Sequence, residues 1–325
     1  MNKSQPRVVI TGSTGFLGTA VTLRLKSTYN YHVLGLAGRR QWDLTNQKMV
    51  DYAFQELKPD YIIHLAAACG GIGINRDQPG KFLYDNLSMG MNLIETAKKY
   101  GKLKNLIMIG TVCSYPKITP VPFKEENLWN GYPEETNAPY GIAKKTLIEM
   151  LIAYNRQYGL NSTNLIPVNM YGPYDNFNPI SSHVIPALIL KIDKAKSTKQ
   201  KEIELWGTGN ASREFLYVDD CADVICRSLE AETTPLPINV GTGEEIKICE
   251  LAELISGLMG YDGKIIYNSK FPDGQPRRCL DTSKAYEIFG FKAKTGLYLG
   301  LKDTINWYYK NKQEKRFEDF FSYIQ

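Results

Sequence analysis

The segment RVVITGSTGFLG, Arg7 to Gly18, restricts the fold more than any other stretch of the chain. Its β-branched run reads as a strand, and glycines 12, 15 and 18 stand in a GxxGxxG spacing directly behind it. Gly12 permits a tight turn, Gly15 lets the backbone approach a pyrophosphate, and Gly18 lets the next helix, expected over Thr19 to Leu25, pack on the strand. The amides opening that helix point at the same place. The loop Gly12, Ser13, Thr14, Gly15, Phe16, Leu17, Gly18 therefore reads as a cradle for dinucleotide phosphates.

Strand and helix patterns alternate from residue 7 to 170, which predicts βαβ units and a Rossmann-type, doubly wound parallel α/β sheet. The further strands expected are HVLGLAG, DYIIHLAAA (Asp60 to Ala68), NLIMIG (Asn105 to Gly110) and STNLIPVNMYGP (Ser162 to Pro173). Beyond about residue 170 short strands mix with short helices, and a last helix is expected from Thr304 to about Phe317. This divides the chain into a nucleotide-binding domain, residues 1–170, and a smaller α/β substrate lobe, 171–325, with some exchange of strands or helices between them. Ligands are expected at the C-terminal ends of the strands.

An acid at the end of the second strand would read the ribose hydroxyls of NAD, whereas Arg39 and Arg40 suit the 2′-phosphate of NADP. Asp43 is placed to contact the ribose or adenine. His64 lies inside an apolar run and reads as a packed core histidine. The glycine-rich loop GGIGIN, Gly70 to Asn75, is a candidate pocket lining, and a helix carrying Asn86 and Asn92 follows it.

Tyr140 and Lys144 stand four apart, so a helix presents both on one face, roughly 5–6 Å apart. An ammonium at that range favours the phenolate and draws the phenol down from a pKa near ~10. Such a phenol can exchange a proton with a carbonyl or carbinol oxygen. Thr111 offers a hydroxyl to the same oxygen, and Cys113 faces the same side if the local backbone is extended.

The 325 residues are 43% hydrophobic and 22% charged, enough for a large core. The formal charge of +5 is spread rather than massed, which argues against a nucleic-acid partner. Six cysteines and three histidines are scattered without a CxxC pair, which argues against a zinc site and a disulfide framework. No signal-type apolar segment opens the chain and no run approaches the ~20 residues needed to span a bilayer, so a cytoplasmic protein away from membranes is expected.

The glycine loop, Thr111 and the YxxxK pair together resemble the extended short-chain dehydrogenase/reductases. The strings CSYPK, EETNAPYGIAKK, NRQYG, YGPYDNFNP, SSHVIPAL, WGTG, REFLYVDD, INVGTG and PDGQPRR, in order along nearly the whole chain, resemble the GDP-L-fucose synthase family. The resemblance implies an NADPH-dependent 3,5-epimerase and 4-reductase acting on GDP-4-keto-6-deoxy-D-mannose. It gives Tyr140 and Lys144 the reductase positions, Thr111 a position usually held by serine, and Cys113 and His183 the acid/base pair of epimerisation. Gly110, Thr111, Lys144, His183 and the stretch Pro167, Val168, Asn169, Met170 correspond to the family's cofactor contacts. Lys191, Trp206, Arg213 and Asp273 correspond to its GDP-sugar contacts, and relatives are usually homodimers through the helices around Asn86 and Tyr140.

The residue types suit that chemistry. A hydrogen α to a ketone is removable by a thiolate if the enolate oxygen is held, and a histidine on the other face can return a proton. Threonine at 111 adds a methyl group near the sugar, and Val112 replaces a small polar residue found in many relatives. Both changes bear on substrate choice. A GDP-4-keto-6-deoxy-heptose, or 4-reduction without epimerisation, is the alternative.

Overall fold

The structure, a computed structural model, describes residues 5–70, 76–271 and 273–312. The loop expected at GGIGIN lies outside these residues except for Gly70, as does the far end of the last expected helix.

The chain runs β1 (Arg7–Thr11), α1 (Phe16–Thr28), β2 (His32–Leu36), α2 (Gln47–Leu57), β3 (Tyr61–His64), α3 (Pro79–Tyr100), β4 (Asn105–Ile109), α4 (Ala138–Tyr158) and β5 (Ser162–Pro167). It continues β6 (Asn169–Tyr171), α5 (Val184–Ser197), β7 (Glu202–Trp206), β8 (Ser212–Tyr217), α6 (Val218–Arg227) and β9 (Pro237–Val240). The described part ends with β10 (Glu245–Lys247), α7 (Ile248–Met259), β11 (Lys264–Asn268), α8 (Ser283–Phe289) and α9 (Leu297–Asn311).

Six strands form one sheet in the order β2-β1-β3-β4-β5-β9, every neighbouring pair parallel. Strand alternation fills both faces. Val8 and Ile10 of β1, with Ile107 and Ile109 of β4, join α1 and α6 on one face. Val9, Leu106 and Met108 join α2, α3 and α4 on the other. This is the doubly wound parallel α/β fold that the alternation of patterns predicts. A third core unites α5, α7 and α9 with β6, β7 and β8, through Leu188, Ile192, Leu251, Ile255, Leu301 and Ile305. Here lie two small sheets, β10-β8-β6 and β11-β7.

Three elements differ from expectation. The run from Asp60 stops as a strand at His64, because the Thr11 hydroxyl takes the amides of Leu65 and Ala66 at 3.2 and 3.1 Å and turns the chain aside. The single strand expected over Ser162 to Pro173 is two, broken at Val168. Proline 167 has no N–H to continue a ladder, and Val168 closes β5 by donating to Val240 at 3.0 Å. Asn169 then starts pairing with Phe215 in the second sheet. The last helix begins at Leu297, seven residues before the expected Thr304.

Glu214 ties these parts together. Its carboxylate is fully buried and accepts the amides of Thr242, Gly243 and Leu280. One side chain on β8 thus holds the turn after β9 and the segment leading to α8. Removing it leaves three amides without their acceptor. Glu214→Ala is expected to lower stability by about 3 kcal/mol, read as a shift of the urea midpoint with an unchanged slope.

Candidate active site

The strand order reverses between β1 and β3, and the crevice beyond their C-terminal ends is where open sheets of this kind bind ligands. Gly12 has φ +69°, and a Cβ there would stand 2.8 Å from the amide nitrogen of Ala66. A Cβ at Gly18 would stand 2.0 Å from the Gly12 carbonyl. The loop therefore lies flush against the tip of β3, with α1 packed onto it. Gly15 caps α1 in an extended conformation without a side-chain cap, leaving the first-turn amides for an anion. These cradling glycines fit a dinucleotide pyrophosphate.

The tip of β3 is held from both sides. His64 is 1% exposed, and its Nδ1 lies 2.8 Å from Thr11 Oγ1. That oxygen already accepts two amides, so its proton goes to Nδ1 and the ring carries its own proton on Nε2. Burial, with Lys144 nearby, pushes the ring well below the ordinary histidine pKa. His64 is the packed core histidine expected. Asn86 accepts the amide of Ala68 at 3.1 Å and donates to its carbonyl at 2.8 Å, while Asn92 donates to Leu44 at 2.9 Å.

After β2, Arg39 is bound to Asp85 at 3.0 Å and lies 3.5 Å from Asp43. Asp43 itself accepts the Thr45 amide and hydroxyl. Arg40 is exposed and makes no ion pair among the described residues. Of the two arginines, Arg40 is the one free to meet a phosphate. Arg40→Ala is expected to raise the KM for NADPH about tenfold and leave that for NADH unchanged, as measured by initial rates at fixed ionic strength.

Beyond β4 the backbone forms a 3₁₀ turn, Val112–Ser114, rather than an extended stretch. Thr111 caps it, its hydroxyl accepting the Cys113 amide at 3.2 Å. Ser114 donates to the Gly141 carbonyl at 2.8 Å, and a Cβ at Gly141 would stand 2.4 Å from the Cys113 carbonyl. The turn thus rests directly on the first turn of α4, where the Thr111 hydroxyl lies close enough to Tyr140 to pull its phenol pKa down. Gly110 fits closely against Ile166, where a Cβ would stand 3.1 Å from the Ile166 side chain.

The electrostatics differ from the sequence expectation. Tyr140 is pushed well above the ordinary phenol by burial, then by the neighbouring thiols Cys69 and Cys113, against the pull of the Thr111 hydroxyl. Lys144, 2% exposed, is brought down to about 8 by burial, with Cys69 pulling the other way. Withdrawal from water outweighs the mutual effect of the ammonium and the phenol. Tyr140 is accordingly held as the protonated phenol rather than drawn toward neutrality. Among the described residues no carboxylate or carbonyl takes the Lys144 ammonium, which fits a group awaiting ligand hydroxyls.

The proposed sugar-binding residues fall on the third core. Arg213 on β8 donates to its neighbour's carbonyl at 2.7 Å and to the Asp273 carbonyl at 3.2 Å. Burial, then Arg278 beside it, lowers it to about 10. The Asp273 carboxylate accepts the Thr208 amide and hydroxyl at 2.6 and 2.8 Å, so it anchors the loop after β7. Trp206, at the end of β7, is 63% exposed and stacked on Phe271 with centroids 4.5 Å apart. Lys191 on α5 donates to the Glu204 carbonyl at 3.0 Å. His183 is the residue before α5 and leaves that helix without a side-chain cap. Protein crowded around its ring disfavours the cation and lowers its pKa, although the residue has an exposed surface. No hydrogen bond or ion pair among the described residues joins it to Cys113 or Tyr140. Pro167, Val168, Asn169 and Met170 bridge the two sheets, with Asn169 donating to the Glu214 carbonyl at 3.3 Å.

Three residues of this region carry no mark in the sequence reading. Cys69 interacts electrostatically with Tyr140, Lys144 and Cys113. Asp175 is 5% exposed, with one carboxyl oxygen on the Asn176 amide at 2.7 Å and the other buried without a hydrogen-bond partner among the described residues. Burial brings it up to about 7. Arg278 lies 3.6 Å from the Cys113 sulfur. Asp175 follows Tyr174, whose backbone is left-handed at φ +70°, a feature that the residue type does not announce.

A phosphate-cradling loop at a switch point, followed by a Tyr–Lys helix turn against a capped hydroxyl, defines a dinucleotide-dependent enzyme of the doubly wound class. The model of the NAD dependent epimerase/dehydratase family matches residues 8–241, and the chain belongs to that family. It is 39% identical over 305 residues to a probable GDP-L-fucose synthase of Oryza sativa subsp. japonica, covering 94% of this chain and 92% of that one. A GDP-6-OMe-4-keto-L-xylo-heptose reductase from C. jejuni superposes with a TM-score of 0.87 at 30% identity, over 95% and 99% of the two chains. A GDP-L-fucose synthetase from Naegleria fowleri bound to NADP superposes with a TM-score of 0.86 at 27% identity, over 96% and 97%.

Proposed function

We propose that this chain is an NADP(H)-dependent enzyme that epimerises C3 and C5 of GDP-4-keto-6-deoxy-D-mannose and reduces C4, forming GDP-L-fucose. The observation that carries the reading is the convergence of Thr111, Cys113, Tyr140 and Lys144 at one end of the sheet, with Arg213 of the other lobe close enough to Cys113 to feel its charge.

In this reading the Cys113 thiolate removes the hydrogen α to the ketone, and the electron pair moves into an enolate. Thr111 and Tyr140 hold the enolate oxygen by hydrogen bonds. His183 gives a proton to the opposite face, inverting the centre, first at C3 and then at C5. NADPH supplies the hydride for C4. Tyr140 then gives its proton to the C4 oxygen, a role that its raised pKa suits. Lys144 holds the nicotinamide ribose hydroxyls, and the Gly12–Gly18 loop and Arg40 hold the phosphates. Lys191, Trp206, Arg213 and Asp273 position the GDP-sugar, Arg213 with two donors for a pyrophosphate.

The residues after about 170 form most of the GDP-sugar lobe and those before it the nucleotide domain, which takes back α6 and β9 from the later part of the chain. A homodimer through α3 and α4 also belongs to this reading. Tyr84 and Met91, seven apart on α3, are 65% and 47% exposed and leave an apolar face for a second copy. Light scattering is expected to give twice the chain mass. The protein acts in the cytoplasm in this reading; among the described residues no helix is long and apolar enough to cross a membrane.

The test is incubation in D₂O with NADPH and GDP-4-keto-6-deoxy-mannose, the product read by NMR and mass. Deuterium at both C3 and C5 with loss of NADPH is the expected result. Reduction without deuterium removes the roles of Cys113 and His183. The structural likeness to a heptose reductase favours one second reading, the same chemistry on a GDP-4-keto-6-deoxy-heptose. Turnover of that sugar alone decides for it.

A further inference from the structure

Arg278 is 8% exposed, and among the described residues it makes no ion pair with a carboxylate. Its Nη1 lies 3.6 Å from Cys113 Sγ, within hydrogen-bond range for sulfur, across 165 residues of sequence. Its Nε donates to the Gln275 side-chain oxygen at 2.7 Å, and Gln275 in turn donates to the Lys117 carbonyl at 2.9 Å. Gln275 therefore bridges the guanidinium to the same loop that carries Cys113, and Arg278 has its planar fork fixed before any substrate arrives. Arg213 stands beside it, and Glu134, held by Thr136 and Asn137, is the acid that feels its charge.

We propose that Arg278 is a positioning residue for the thiol base: its guanidinium donates a charge-assisted hydrogen bond to the Cys113 thiolate and aims it at the sugar. This rests on the epimerase reading above. A guanidinium offers directed N–H donors in a fixed plane, so it can hold an anionic sulfur in place. When Cys113 takes the proton, an S–H bond forms as the C–H bond breaks. The negative charge passes from sulfur to the enolate oxygen, away from Arg278 and towards Thr111 and Tyr140. Loss of that proton to water restores the thiolate for the second carbon. Gln275 makes the arrangement depend on the 273–280 segment, which also supplies Asp273 to the sugar lobe. Base and sugar site are set by one stretch of chain.

Arg278→Met and Arg278→Lys are compared with the wild type by two measurements on the full-length enzyme. The first is the rate of deuterium entry at C3 and C5. The second, which needs no substrate, is the rate at which iodoacetamide alkylates Cys113 near neutral pH, read on its peptide by mass spectrometry. Both rates are expected to fall about ten- to hundredfold in Arg278→Met and to recover substantially in Arg278→Lys. Unchanged alkylation in Arg278→Met overturns the proposal even if turnover is lost, since Arg278 would then serve the phosphates or the fold. Absence of deuterium in the wild-type product instead overturns the epimerase reading, and the alkylation rates still decide whether Arg278 acts on Cys113.

Discussion

Tyr140→Phe is expected to lower product formation on the order of 10³-fold, with little change in unfolding midpoint. The phenol oxygen is the only part lost, and among the described residues no hydrogen bond ties it to the core. The ring remains to line the cleft, so NADPH binding measured by fluorescence should stay within about twofold of wild type. Because burial and the two nearby thiols keep the phenol protonated well past its ordinary range, the wild-type rate should not fall on its account between pH 6 and 9, a window set by the ordinary phenol value near ~10. A variant that keeps even a tenth of the wild-type rate would remove Tyr140 as the proton donor.

Lys144→Met should move stability and activity in opposite directions. Burial makes the ammonium less favourable in the folded chain than in the unfolded one, so its pKa falls to about 8. Below that pH the folded protein bears the whole penalty, and it fades as pH rises toward the ordinary lysine range. A methionine of similar shape carries no charge, and the ligand-free protein should gain about 2 kcal/mol at pH 7 by urea unfolding. That gain should vanish above the ordinary lysine pKa. NADPH affinity should drop, and in the wild type it should weaken as pH rises through about 8 and the ammonium is lost. A destabilised Lys144→Met would mean that the ammonium has a partner worth more than its desolvation. The opposition is what is expected where a charge is kept buried for a ligand.

Much of this was open to reading from the chain because the determinants are local. The glycine loop, the alternation of strand and helix, and the four-residue spacing of Tyr140 and Lys144 are each properties of a short window, and the sheet and the cleft follow from them. What escaped depends on contacts across the fold. The outcome at Tyr140 and Lys144 turns on how much water the finished cleft excludes, which their spacing does not encode. Strand 5 breaks at Val168 because Val240 and Phe215, both far along the chain, draw the pairing on either side of it into two different sheets. Of the adjacent pair Arg277 and Arg278, one faces Glu245 at the surface and the other meets Cys113 inside. Nothing in the doublet itself distinguishes them.

The sixth strand of the main sheet, β9, comes from residues 237–240, after the chain has already built most of its second lobe. The nucleotide half is therefore not a detachable module. A gene cut after residue 170 would encode a five-stranded sheet ending on β5, whose Asn164, Leu165 and Ile166 would lose their partners Pro237, Ile238 and Asn239. An exposed, apolar parallel edge of that kind invites chain-to-chain pairing. During synthesis the first half must wait for about 70 further residues before its sheet is closed, a period in which a holding chaperone has something to hold. Fragments for binding assays or domain exchange should be joined at 241 or beyond, where the edge is covered.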